Sequence, residues 1–129
     1  MKKLITRYLG IDYGTVRIGL ALGDSEIKLA IPFMVVASVD EILKVIRDEE
    51  IDEIVIGAPL TLRSEEGKMS QEVDQFIKLI ESKLNVPINI VDERLTSKAA
   101  DVLEGGKKIK AERDAVAAMI ILQSYLDRI

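Results

Sequence analysis

Cysteine, histidine and tryptophan are all absent from the 129 residues. Without cysteine the chain forms no disulfide bond and offers no thiolate metal ligand, and without histidine it lacks imidazole bases and the usual zinc ligands. Any catalysis must therefore use carboxylates, lysines, tyrosines or hydroxyl groups. No apolar run approaches membrane-spanning length, and the opening MKKLIT is interrupted at once by Thr6 and Arg7, unlike a signal peptide. We expect a soluble cytoplasmic protein without membrane contact.

Aromatic residues and net positive charge are also scarce. Phenylalanine and tyrosine together make up 4% of the chain, and the net charge is −4. Contact with a polyanion would therefore depend on local clusters of lysine and arginine. Because the aromatic residues lie mostly on predicted core faces, base stacking is not expected to dominate recognition of a nucleic acid. No repeat or long linker marks a boundary, so we expect one domain over residues 1–129.

Hydrophobic patterning predicts an α/β protein whose sheet is antiparallel at hairpins and parallel where helices cross over. Five strands are predicted, in RYLGIDY, VRIGLALG, KLAIPFMVVA, EIVIGAPL and INIVDER. Pro32 indicates an edge position for the third strand. Ser38 and Glu41 form a capping box that starts the first helix. Three further helices are predicted, around residues 73–84, 96–105 and 111–128.

The first two strands, LGIDYGTVRIGLALGD, carry one carboxylate inside an apolar stretch. A two-residue turn at Gly14-Thr15 would place Asp12 opposite Arg17. The same register would place Gly10 opposite Gly19, which leaves bare backbone that another group can approach closely. Two interpretations follow. Asp12 and Arg17 form a structural ion pair while a helix packs on the glycines, or Asp12 belongs to a functional site.

Two further acids occupy unusual positions. Glu93 belongs to the triplet DER, which directly follows an apolar strand, and strand ends of open α/β sheets are where ligands bind. Asp114 lies in the first turn of the most apolar helix, on the same side as Ala117 and Ala118. Each has an ordinary alternative: DER can be a solvated turn, and an aspartate near a helix start is stabilised by the helix dipole.

Three carboxylates brought together would raise one another's pKa unless a cation compensated them. A hard divalent metal such as Mg²⁺ is the natural partner, because it prefers oxygen ligands and keeps positions for water or phosphate. Two such ions about 4 Å apart clamp the attacking and leaving oxygens of a phosphodiester. A chain without histidine can therefore be a nuclease.

Four motifs that together cover nearly the whole chain resemble one family. GIDYGTVRIGLA, IVIGAPL, VDERLTS and DAVAAMIILQSYLD, in this order, closely resemble the YqgF family, also called RuvX. The family is similar to the resolvase RuvC. The resemblance implies a ribonuclease H-like fold, with a five-stranded mixed sheet and helices on both faces. It also implies a cytoplasmic, metal-dependent nuclease that matures the 5′ end of the small-subunit ribosomal RNA precursor; the older proposal is DNA junction resolution.

Transferred by position, the resemblance implies three acids that are both catalytic and metal-binding: Asp12, Glu93 and Asp114. The expected cofactor is Mg²⁺ or Mn²⁺. Arg17 and Arg94 match family arginines, which we expect to contact phosphate or to hold the acids in place. A fourth acid is often found in ribonuclease H-like nucleases. This chain offers no clear candidate beyond Asp92, so the number of ions, one or two, stays open.

A basic segment, GGKKIKAER, precedes Asp114. Its Lys107, Lys108 and Lys110 can bind phosphate in a salt-dependent way, although a plain solvated loop is an equal alternative. The expected partners are structured RNA, pre-ribosomal particles or four-way DNA junctions. A junction resolvase needs two active sites, so a homodimer favours junctions and a monomer favours ribosomal RNA. A non-catalytic binding module of the same fold is the third alternative, disfavoured because all three acids are retained.

Overall fold

The computed structural model describes residues 4–14, 16–58, 71–92 and 110–129. The strands are β1 Arg7–Asp12, β2 Ile18–Asp24, β3 Ile31–Val36, β4 Glu53–Ala58 and β5 Ile88–Asp92. The helices within the described ranges are α1 Val39–Asp48, α2 Gln71–Lys83 and α3 Lys110–Leu126. The helix predicted at 96–105 lies outside these ranges. Among the described helices, none has the length and apolar character that a membrane span requires.

The five strands form one mixed sheet in the order β3-β2-β1-β4-β5. The central strand β1 pairs antiparallel with β2 and parallel with β4, which in turn pairs parallel with β5. This confirms the predicted mixture of hairpin and crossover connections. It also places the carboxyl ends of β1, β4 and β5 at one edge of the sheet, which we call the carboxyl edge.

One face of the sheet carries large aliphatic side chains and packs against α1 and α2. Its fully buried strand residues include Leu9, Ile11, Leu20, Ile54 and Ile56. The predicted capping box starts α1: the Glu41 amide donates to Ser38 Oγ over 3.3 Å, and Ser38 Oγ donates to Glu41 Oε1 over 3.2 Å. Of the two hydrophobic clusters formed by the described residues, the larger lies on this face.

The other face receives α3 and combines glycines and Ala21 with the larger side chains of Tyr8, Val55 and Val91. Three glycines, Gly10, Gly19 and Gly23, form a glycine track beneath this helix. A Cβ on Gly10 would lie 2.7 Å from Leu122 Cβ, and a Cβ on Gly19 would collide with the carbonyl oxygen of Asp114. Backbone therefore touches helix directly, so a helix does pack on the glycines, as one of the two interpretations of the first hairpin required.

The predicted register of the first hairpin is wrong by two residues. Asp12 stands opposite Gly19 rather than Arg17, and Gly10 stands opposite Ala21. The ladder ends at the pair Asp12 and Gly19, so the connection is longer than a two-residue turn. Because side chains alternate with a period of two, this shift keeps every residue on its predicted face.

The edge position predicted for the third strand is correct. Pro32 lies in β3, which is paired on one side only, and so its missing amide hydrogen is tolerated. Leu20 pairs with Met34 while Ala21 pairs with Pro32, which leaves Phe33 as a bulged residue between them. Proline and a bulge both discourage another strand from adding to this edge.

Candidate active site

The carboxyl edge of the sheet brings two of the predicted acids together. Asp12 is the last residue of β1, and strand alternation places it on the same face as Gly10, beneath α3. The backbone of Asp114 lies directly on Gly19, the cross-strand partner of Asp12. The absence of a side chain at residue 19 therefore positions the start of α3 against the end of β1.

Asp12 and Asp114 line one open cleft of about 260 Å³. Its other lining residues are Gly14, Val16 and Arg17. Asp12 and Asp114 are both only partly buried, so both residues are accessible from solvent. The predicted meeting of these two acids, from opposite ends of the sequence, is what the geometry shows.

Arg17 reaches Asp114 and does not lie opposite Asp12 in the ladder. Its Nε donates to Asp114 Oδ2 over 2.6 Å, between residues 97 positions apart in the sequence. The two side chains are 39% and 23% exposed, so solvent screens the pair and its contribution to folding stability is modest. Its main consequence is electrostatic, because the guanidinium compensates one of the two carboxylates in the cleft.

The remaining predicted site residues fall outside the part of the chain whose side chains the structure describes. Glu93, Arg94, Lys107 and Lys108 lie outside the described residues, and for Lys110 the description covers only the backbone of α3. Within the described ranges, no three acids come together as a metal-binding group. The described residues thus bring together two of the three predicted acids.

Asp92 lies at the same edge but on the opposite face. It pairs with Ala58 of β4, a buried residue of the cluster against α1 and α2. The preceding residue, Val91, is 2% exposed and belongs to the cluster beneath α3. Strand alternation therefore directs the side chain at position 92 away from the face that carries Asp12.

Sequence patterns missed the contact between Arg17 and Asp114. Pairing across a hairpin can be inferred from a turn, but a contact over 97 positions depends on where α3 packs. The usable signal was the pair of glycines in the first hairpin, which mark where helix and sheet backbones touch. That signal alone does not identify which residue of the helix lies over the glycines, so it does not name Asp114 as the partner of Arg17.

The sequence is similar to those of known proteins over nearly its whole length. The RuvX family, described as Holliday junction resolvase, matches residues 6–128. Relatives named "Putative pre-16S rRNA nuclease" include one from Chloroflexus aurantiacus, 36% identical over 92% of this chain and 85% of its own length. Another, from Maridesulfovibrio salexigens, is 38% identical over 95% of this chain and 98% of its own length.

The fold is also shared with a solved structure. RuvC from T. thermophilus, in complex with Holliday junction substrate, superposes with a TM-score of 0.60 at 15% identity, covering 95% of this chain and 94% of that one. At this identity the likeness concerns the fold, which is ribonuclease H-like as the sequence motifs implied. The match over residues 6–128 and the similarity of the relatives place the chain in the RuvX (YqgF) family of nucleases, enzymes that hydrolyse nucleic acid.

Proposed function

We propose that this protein is a metal-dependent nuclease that processes the 5′ end of the 16S ribosomal RNA precursor in the cytoplasm. The observation that carries the proposal is the meeting of Asp12 and Asp114 in one open cleft at the carboxyl edge. The names of the relatives supply the substrate class. A single domain and a monomer are sufficient for trimming one RNA end.

The donor set of the cleft fits a hard divalent cation. Mg²⁺ is commonly held by one or two carboxylates, with water and substrate phosphate as its other ligands. Asp12 and Asp114 would hold Mg²⁺ or Mn²⁺ here. When bound, such an ion supplies Lewis-acid polarisation of the phosphate and activation of water near neutral pH. The open wall at Gly14 and Val16 admits the substrate strand.

Glu93 is the proposed third acid. It directly follows Asp92, the last residue of β5, at the edge where β1 also ends. The period of two along β5 places Val91 on the face of Asp12 and Asp92 on the other face, which favours position 93 over position 92 as a ligand. With Asp12 and Asp114, a carboxylate at position 93 would give one ion three protein ligands, and water or phosphate would supply the others.

Charged residues around the cleft would bind the phosphate backbone. Arg17 already lies in the cleft, and its guanidinium can bind phosphate oxygens in two parallel hydrogen bonds. Arg94 and the lysines at 107, 108 and 110 are the other proposed phosphate contacts. Because the chain carries a net charge of −4, this local cluster would dominate the attraction for RNA.

Four-way DNA junctions are the second candidate substrate. The family description names this activity, and the fold matches a resolvase solved with its junction. Symmetric cleavage of a junction requires two active sites, so this function would need a homodimer. The oligomeric state in solution therefore separates the two candidates.

The test is a parallel cleavage assay with a synthetic precursor RNA that spans the 5′ processing site and with a four-way DNA junction. Each substrate is incubated with Mg²⁺, with Mn²⁺ and with a chelator, and the oligomeric state is measured by light scattering. We expect metal-dependent cleavage of the RNA by a monomer. Cleavage of the junction alone by a dimer would replace the RNA assignment, and equal cleavage in chelator would overturn the metal site.

A further inference from the structure

A second cavity lies across the first hairpin from the acid cleft. It measures about 280 Å³ and shares Gly14 with the cleft. The hairpin connection separates them: the acid cleft opens on the α3 face, and this cavity opens on the face of α1 and α2. We call it the aromatic pocket, after the two rings in its lining, Tyr13 and Phe76.

Three walls form the aromatic pocket. The first wall is formed by Tyr13 and Gly14, which follow β1. The second wall is the link from β3 to α1. The third wall is one face of α2, where residues at i, i+3, i+4 and i+7 point the same way. These α2 residues are Glu72, Gln75, Phe76 and Leu79.

The aromatic pair gives the pocket a flat apolar surface. The rings of Tyr13 and Phe76 lie 4.4 Å apart between centroids and are tilted by 35°. Phe76 is only 5% exposed, so it holds Tyr13 in place from beneath. Tyr13 is only partly buried, because it lies at the end of the core rather than within it. A rigid ring at a pocket wall is a platform on which a planar ligand can stack.

The polar groups of the pocket favour a neutral base over a phosphate. Among the described residues that line it, only Glu72 is charged, and a carboxylate repels phosphate but accepts hydrogen bonds from an exocyclic amino group. Gln75 can both donate and accept. The Ser38 hydroxyl is already engaged with Glu41, which leaves Glu72, Gln75 and the Tyr13 hydroxyl as the side-chain groups that can hydrogen-bond to a ligand.

We propose that the aromatic pocket binds the base of a nucleotide next to the scissile phosphate, preferably a base with an amino group. This inference rests on the proposed function, because the cleft would hold the phosphate. A strand passing over Gly14 would then place one phosphate in the acid cleft and a neighbouring base on Tyr13. Stacking on an aromatic side chain tolerates any base, whereas Glu72 favours adenine, guanine and cytosine over uracil.

The experiment measures the binding of synthetic precursor RNA by fluorescence anisotropy. All proteins carry Asp12→Asn, so that no cleavage occurs during the measurement. The RNA is used intact and with a single base removed at each position around the processing site. We expect one abasic position to weaken binding by about tenfold, the usual range for loss of one stacked base. Tyr13→Leu should abolish that difference while it retains apolar volume.

A matched control separates the pocket from general effects of removing an aromatic ring. Phe33→Leu makes a similar change at the bulged edge strand, where the ring is 38% exposed and remote from Gly14. It should leave the abasic penalty intact. A further RNA carries uracil at the sensitive position in place of an amino-bearing base. Glu72→Leu should remove the preference for the amino-bearing base over uracil without removing the abasic penalty itself.

The outcomes distinguish this inference from the proposed function. If no abasic position matters, or if the penalty survives Tyr13→Leu, the aromatic pocket does not bind a base. Cleavage by the protein with intact Asp12 is scored separately and can stand in either case. A penalty that disappears only with Tyr13→Leu supports the pocket even if the RNA is cut slowly.

Discussion

The two faces of the sheet are built in opposite ways. Against α1 and α2, the strands present leucine and isoleucine side chains that are fully buried. Beneath α3 they present the glycine track, and the helix rests on strand backbone. Large side chains bury more apolar area and hold the fold together, whereas missing side chains fix a close distance. The first face contributes most to stability, and the second places Asp114 beside Asp12.

The largest expected effect comes from replacing an acid at the carboxyl edge, and it should depend on the face of the sheet on which that acid lies. Asp12→Asn should lower the cleavage rate by at least about a hundredfold, because even outer partners of a metal site cost up to that much. Asp92→Asn, the same change on the opposite face, should leave the rate within a few fold. Rates are measured on precursor RNA with saturating Mg²⁺, and circular dichroism checks the fold. Equal losses in both variants would contradict the assignment by face.

Neighbouring residues of β2 should separate stability from activity. Leu20→Ala opens a cavity in the α1 and α2 face and should lower the free energy of unfolding by about 2–5 kcal/mol, with little change in rate per folded molecule. Gly19→Ala forces α3 away from the strand. It should cost only about 1–3 kcal/mol of stability but about a hundredfold in rate, because the acids are misplaced.

Urea unfolding and cleavage kinetics on the same two variants test this separation. Gly23→Ala is the milder control on the glycine track, because the two atoms nearest to its Cβ would be leucine side-chain tips 3.1 Å and 3.2 Å away, and the nearest backbone atom would be at 3.4 Å. Full activity of Gly19→Ala would contradict the separation of stability and activity between the two faces. So would a loss of activity per folded molecule in Leu20→Ala as large as the loss in Gly19→Ala.

These contrasts show how far the sequence could predict the molecule. Alternation of side chains assigned both faces, because burial repeats with a period of two. The same period leaves registers two residues apart equally satisfactory, which is why the hairpin pairing of Asp12 with Arg17 was wrong. The observed register puts Gly19 under Asp114, a contact between distant segments that local patterns do not contain.

The candidate site was predictable to a similar extent. Asp12 and Asp114 stood out because each carboxylate interrupts an apolar pattern, and they do share a cleft. The partner of Arg17 was not predictable, since it depends on where α3 packs on the sheet. The aromatic pocket was hidden for another reason. Tyr13 does lie on the core face, as its pattern indicates, but at the end of the core, where a ring is also open to ligands.

A smaller effect is expected from replacing lysines. Substituting Lys107, Lys108 and Lys110 by glutamine should weaken RNA binding and reduce the slope of log affinity against log salt by about 1 for each lysine that neutralises a phosphate in the parent complex. Lys44 and Lys78, on α1 and α2, are each paired with an aspartate one helical turn away. Their replacement should leave the slope unchanged. An unaltered slope in the first variant would make 107–110 a plain solvated segment.

The smallest effect concerns alkaline pH at the far end of the α3 face. Tyr8 and Tyr125 pack edge to face there, with centroids 5.6 Å apart. Burial raises the pKa of Tyr8 above its usual 10.0, and nearby Glu53 raises it further. The folded state thus favours the neutral phenol. The neutral Tyr8 phenol makes its full contribution to folding stability below pH 10.0. This contribution is lost as the pH rises from 10.0 through the raised pKa.

Tyr8→Phe should reduce this alkaline loss. The measurement is the urea midpoint of both proteins on either side of pH 10.0. The midpoint of the variant should fall less than that of the parent protein as the pH is raised. Parallel decline of the two midpoints would show that Tyr8 is not responsible.

With a metal ion in the cleft, as proposed, the hydrogen bond from Arg17 to Asp114 would make the binding of metal and of nucleic acid interdependent. An arriving cation must compete with a guanidinium that already binds the carboxylate at 2.6 Å. A phosphate group offers Arg17 another partner. When the guanidinium leaves Asp114 for the phosphate, Asp114 becomes available to the cation. By thermodynamic reciprocity, each ligand would then tighten the other by the same factor. The free protein would bind its ion weakly, and it would bind the ion tightly only when a nucleic-acid strand is bound. This would limit non-specific cleavage.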